Sequence, residues 1–89
     1  METSSADNIS KELRQFIVEN FLFGRDDSFS NEDSFIEMGV LDSTGVLELI
    51  AFLQKRYSIK IEDVEIVPEN LDSIHRISVF VTRKLQANG

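Results

Sequence analysis

Three stretches of this chain repeat apolar residues at helical spacing, and no stretch sustains the alternation of a sheet. Ile9, Leu13, Phe16, Ile17 and Phe21 mark the first stretch, and Val46, Leu49, Ile50, Leu53 and Tyr57 the second. Ile74, Ile77, Val81 and Leu85 mark the third. A helix with one apolar stripe is stable only when that stripe is covered by another element. Three such helices in 89 residues define the fold class as all-α: a small four-helix bundle of three main helices and a short one, with a long loop between the first two. One domain over residues 9–85 is expected, with flexible ends at 1–8 and 86–89.

The boundaries follow from local signals. A cap within Ser5–Asn8 should open the first helix, and Gly24 should stop it after Phe23. The connection 24–42 is too long to be structureless in a compact domain. Phe29, Phe35, Ile36, Met38 and Leu41 are expected to pin it to the core, with a short helical turn somewhere in 31–38. The second main helix runs Ser43–Tyr57. Leu47, Ala51 and Phe52 make it apolar on more than one side, so one side is either covered or a contact patch. Ile59 and Ile61 alternate with Lys60 like a strand, but a lone strand has nothing to pair with. Residues 62–66 read as a short helical piece ended by Pro68, which disfavours helical geometry at Val67. The last helix spans about 73–85, capped by Asp72 or Ser73, with Arg83 and Lys84 near its C-terminus, where cations suit the dipole.

The residue inventory excludes most chemistry. Sixteen acids against nine bases give a net charge of −7, which repels nucleic-acid phosphates. There is no Cys, so no disulfide, thiolate metal site or Cys nucleophile exists. The one His, His75, lacks a partner for nucleophilic catalysis. Asp26, Asp27, Glu32 and Asp33 lack the alternation and central Gly of a calcium loop. No catalytic or metal-binding set emerges, and the chain is not expected to be an enzyme. The N-terminus has neither a basic nor an apolar signal region, and the longest apolar run, Leu49–Leu53, is far too short for a membrane span. A cytoplasmic, monomeric protein is expected.

One place remains. In "GVLDSTGVLEL", residues 39–49, an Asp and a Ser stand where the loop stops and the second helix begins. Ser43 or Asp42 could simply cap that helix. A helix N-terminus also favours anions, so a phosphodiester on Ser43 would sit well there. Thr44 and Gly45 are small and would give a modifying enzyme access. Leu47 and Ala51 share the face of Thr44 and continue a semi-apolar strip away from Ser43.

The stretch "DSFIEMGVLDSTGVLELIAFLQKRY" resembles the signature of acyl and peptidyl carrier proteins. The match rests on Asp42-Ser43, on Glu48-Leu49, on Phe35 in the preceding loop and on Tyr57 closing the helix. "ENLDSIHRISVFVTRKL" resembles the family's last helix, so the likeness covers about Ile9 to Leu85. The resemblance implies that Ser43 carries 4′-phosphopantetheine, installed from coenzyme A by a phosphopantetheinyl transferase. The arm would supply the thiol that the chain lacks, and acyl or aminoacyl groups would ride on it as thioesters. Asp42 would help position the phosphate with the transferase and its metal, and Thr44, Leu47, Glu48 and Ala51 would form the recognition face. An acyl- or aminoacyl-activating ligase and a downstream acyltransferase or synthase are implied as further partners.

Two departures point away from housekeeping fatty-acid synthesis. Fatty-acid carriers usually place an acid two residues after the Ser and an acidic run before the closing aromatic. Here those places hold Gly45 and Gln54-Lys55-Arg56. "GVLDS" is more like free-standing carriers of D-alanine or other amino acids, and Met1 with no long linker suits a stand-alone protein. The core of this family can shelter an acyl chain, and Phe52 facing that space would argue for a short cargo. The competing reading is a helical interaction module without a prosthetic group, in which Ser43 is only a cap.

Overall fold

The computed structural model describes residues 5–22 and 29–88; the expected Gly24 stop, Asp26 and Asp27 lie outside them. Five α-helices and one 3-10 turn follow in order, with no strand among the described residues. They are α1 (Ser5–Phe21), α2 (Phe35–Met38), α3 (Ser43–Tyr57), the 3-10 turn Asp63–Glu65, α4 (Pro68–Leu71) and α5 (Ile74–Asn88). The three long helices and the helical bundle agree with the periodicity. One more short helix is present than expected, and α1 already includes residues 5–8, where a cap was sought.

The stripes meet as their spacing requires. Leu13 and Ile17 of α1, Leu49 and Leu53 of α3, and Ile74, Ile77 and Val81 of α5 are fully buried. Ile59 and Ile61 are buried too, but they flank no strand; they pin an irregular connection instead. The hydroxyls of Ser10 and Ser78 lie 2.8 Å apart between α1 and α5.

α3 is seated on α1 by aromatic side chains. Phe52 stacks on Phe16 with ring centroids 4.2 Å apart. At the far end, the Tyr57 hydroxyl donates to Glu12 Oε1 at 2.6 Å, and Arg56 pairs with the other oxygen of the same carboxylate. Burial and the Glu12 carboxylate both push the Tyr57 phenol well above its ordinary pKa.

Pro68 does not end the preceding turn. It occupies the first position of α4, where a missing N–H costs nothing and the fixed φ suits a helix. Val67 before it is extended, as the Pro dictates. The last helix is capped by Ser73, whose hydroxyl accepts from the Arg76 N–H at 3.1 Å. Arg83 and Lys84 do not serve the helix end, because α5 runs on to Asn88. Lys84 instead bonds both carboxylate oxygens of Glu65, at 2.9 and 3.2 Å.

Glu65 also accepts from the Glu62 N–H. That bond first, then Lys84, holds its carboxyl below the usual range. A depressed folded pKa contributes stability above the unfolded glutamate pKa and loses it as pH falls through the folded value. Acid titration of stability should therefore show a component below the ordinary glutamate pKa that shrinks in Lys84→Met.

Asp72 went elsewhere than the cap of α5. Its Oδ2 accepts from the Ser34 hydroxyl, its Oδ1 from the Ile36 N–H at 2.9 Å, and its carbonyl from the Phe35 N–H at 2.7 Å. One residue thus fastens the start of α2 to the junction of α4 and α5. Arg14 holds the segment just before it, donating to the Phe29 carbonyl and to Asn31 Oδ1. Asp72→Ala leaves the Ile36 N–H and the Ser34 hydroxyl without this acceptor. It should cost about 1–3 kcal/mol, with the Ile36 amide losing hydrogen-exchange protection before the amides of α1.

Candidate functional site

Leu41 is half-buried beneath the start of α3, and Asp42 next to it is extended. The Asp42 Oδ1 accepts from the Gly45 N–H at 2.8 Å, and its carbonyl accepts from Val46 N–H at 2.9 Å. Asp42 is therefore the N-cap of α3, and Ser43 is its first helical residue. Ser43 is not the cap. Its side chain is exposed at the helix N-terminus, where free N–H groups and the helix dipole favour an anion.

Thr44, Leu47, Glu48 and Ala51 are all exposed, Leu47 to 66%. The structure thus brings the sequence-predicted face together on one side of α3, running away from Ser43. Gly45 does not belong to it. It is buried, and a Cβ there would meet Phe21 Cε1 at 3.0 Å, Leu41 Cδ2 at 3.2 Å and Asp42 Oδ1 at 3.3 Å. Its smallness serves close packing of the helix start, not access for an enzyme.

Two features escaped the sequence. First, Ile36 and Met38 do not pin the loop: Ile36 is 61% exposed, and Met38 is also exposed. Only Phe29 and Phe35 are buried, with Leu41 half-buried. Second, an apolar cavity of about 140 Å³ lies between α2, α3 and the 66–72 segment, lined among others by Phe35, Leu41, Val46, Ile66 and Leu71. Val46 stands three residues beyond Ser43, one helical turn away. Among the described residues that line it, Asp72 alone has a polar side chain, and its oxygens are engaged by α2. Phe52 does not line this cavity; it points to α1, so its bulk sets no limit there. No sequence signal distinguishes an apolar residue that lines a cavity from one that fills a core.

His75 is exposed, and its N–H donates to the Asn31 carbonyl at 2.8 Å. Asp33 closes a local turn by accepting from the Ser30 N–H at 2.9 Å. Among the described residues no group of three His, Cys, Asp or Glu side chains is placed to hold a metal ion. No helix among them is long and apolar enough to cross a membrane.

No family model matches the chain. It is 25% identical over 75 residues to the probable acyl carrier protein PigG of Serratia sp. (strain ATCC 39006), covering 84% of this chain and 86% of that protein. That match, together with a helical bundle that displays an Asp-Ser pair at the start of its central helix, makes the chain similar to an acyl carrier protein over most of its length.

Proposed function

We propose that Ser43 is the attachment point of 4′-phosphopantetheine and that the protein holds acyl or aminoacyl groups for partner enzymes. The observation that carries this reading is the division of labour at the start of α3. Asp42 does the capping, so an exposed hydroxyl stands at a helix N-terminus with no structural task there.

The residues fit the group. Ser43 Oγ would lose its proton and take the phosphopantetheinyl group from coenzyme A, with adenosine 3′,5′-bisphosphate leaving. The resulting phosphodiester would lie against the N–H end of α3, which favours negative charge. Asp42 is exposed and uses one oxygen for its cap bond, so the carboxylate keeps acceptor capacity for the transferase's metal. Gly45 keeps the helix start tight under Ser43. The arm would supply a thiol that carries the cargo as a thioester. Tethering would raise the cargo's effective concentration at each partner. The partners would be a phosphopantetheinyl transferase, a ligase that activates the acyl or amino acid, and a downstream acyltransferase or synthase. Lys55 and Arg56 at the end of α3 make it a poor match for wholly basic docking patches, which favours a specialised pathway over housekeeping fatty-acid synthesis.

The test is intact-protein mass after incubation with coenzyme A and a broad-specificity phosphopantetheinyl transferase. A gain of one phosphopantetheinyl group on the wild type supports the reading. An unchanged mass in a folded protein sinks it.

A further inference from the structure

Ser43 stands inside a span that one bond closes. The Gly45 N–H donates to Asp42 Oδ1 at 2.8 Å, so the residue before Ser43 is tied to the residue two places after it. Whatever holds Gly45 therefore holds the frame around the Ser43 hydroxyl.

α1 supplies that hold, through two rings on its seam with α3. Phe16 stacks on Phe52, and Phe21 meets Phe16 edge-on with centroids 5.9 Å apart. Gly45 and Phe52 are seven residues apart, about two turns, and so lie on the same side of α3. The seam divides its volume differently at the two levels. At Phe52 each helix contributes a ring. At Gly45 only α1 does: α3 offers bare backbone there, and Phe21 Cε1 lies 3.0 Å from the place a Cβ would take. Glycine inside a helix loses stability against alanine. Here the missing methyl is the space in which the ring sits, so Phe21 and Gly45 are a matched pair drawn from two helices.

We propose that Phe21 is a positioning residue for attachment of the arm: its ring, seated on the Gly45 backbone, fixes the first turn of α3 and with it the approach of Ser43 Oγ to coenzyme A. The proposal rests on the carrier reading. The step forms the Ser43 Oγ–P bond and breaks the P–O bond to adenosine 3′,5′-bisphosphate, which leaves, while the hydroxyl proton passes to a base of the transferase. Phe21 touches none of these atoms; it acts through Gly45. A displacement of about 1 Å at a reacting group can cost about 100-fold in rate. Thr44, Leu47, Glu48 and Ala51 are exposed on α3 away from this seam, so loosening the seam leaves the recognition face in place and the loss falls on kcat.

The experiment is a double-mutant cycle on Phe21→Ala and Gly45→Ala. Ile9→Val controls for lost stability, since Ile9 is buried at the opposite end of α1. Each protein is melted, then assayed by intact mass for kcat and KM with coenzyme A and a phosphopantetheinyl transferase, at a temperature where all are folded. Gly45→Ala should lower both Tm and kcat in the wild type, where its Cβ meets the ring. It should raise both in Phe21→Ala, where the Cβ enters vacated space; Leu41 Cδ2, 3.2 Å from that Cβ, ends a flexible side chain and can shift into the same space. Phe21→Ala alone should lose about tenfold in kcat with KM within about twofold of wild type, and its Gly45 amide should lose hydrogen-exchange protection. Ile9→Val should lose Tm and keep kcat. Equal effects of Gly45→Ala in the two backgrounds, or wild-type kcat in Phe21→Ala, would overturn the proposal and leave the carrier reading standing. A wild type that takes no arm would overturn both.

Discussion

The Ser43→Ala protein should melt with the wild type and gain no mass from coenzyme A and transferase. Both halves follow from the start of α3. The cap bond runs from Asp42 to the Gly45 N–H, so removing an exposed hydroxyl at the next position changes stability by no more than about 0.5 kcal/mol. Asp42→Ala shows the converse, a loss of about 1 kcal/mol from the missing cap. If Ser43 were a cap, the costs would be exchanged. Chemical denaturation of the two variants, run beside the mass measurement, separates the structural role from the chemical one. Modified Ser43→Ala would refute the attachment site.

Gly45→Asp should lower stability by about 2–3 kcal/mol, a fall in Tm of about 10–20 °C for a domain of this size. The new Cβ would lie 3.0 Å from the Phe21 ring and 3.2 Å from Leu41. Its carboxylate would enter a buried position beside Asp42 Oδ1, already 3.3 Å from the Cβ. Leaving glycine in a helix regains up to about 1 kcal/mol, which does not offset crowding and like charge together. Gly45→Ala divides the two causes, since it adds the crowding without the charge and should lose less. A melting temperature for Gly45→Asp within a few degrees of wild type would mean that Phe21 and Leu41 yield freely.

Gly45 also shows where reading the sequence runs out. The spacing of Val46, Leu49, Ile50 and Leu53 sets the inward side of α3, and the bounds of that helix agree with the structure residue for residue. A glycine carries no such label. Its small size beside Ser43 reads as access for a modifying enzyme, yet it faces Phe21 and Leu41. Ile36 and Met38 misled for a related reason. In a loop, an apolar residue is read as an anchor, but residues 35–38 form a helix with two sides, and Phe35 alone takes the buried one. Asp72 and Pro68 were read as local punctuation. Asp72 bonds Ser34 and Ile36, far away in the chain, and no local pattern reveals such a partner. The Asp42-Ser43 pair was legible as a helix start; which of the two capped it was a matter of backbone geometry.

The joint between α1 and α3 has an optical side. The chain has one Tyr and no Trp, and that Tyr is the residue whose phenol rests on Glu12. The near-ultraviolet absorbance of the unlabelled protein above 290 nm, where a tyrosinate absorbs, therefore comes from a single chromophore at the end of the central helix. While α3 is seated, burial and the Glu12 carboxylate keep that chromophore in its neutral form at a pH where a free phenol ionises. The protein thus carries its own indicator of whether the helix that presents Ser43 is docked on the bundle.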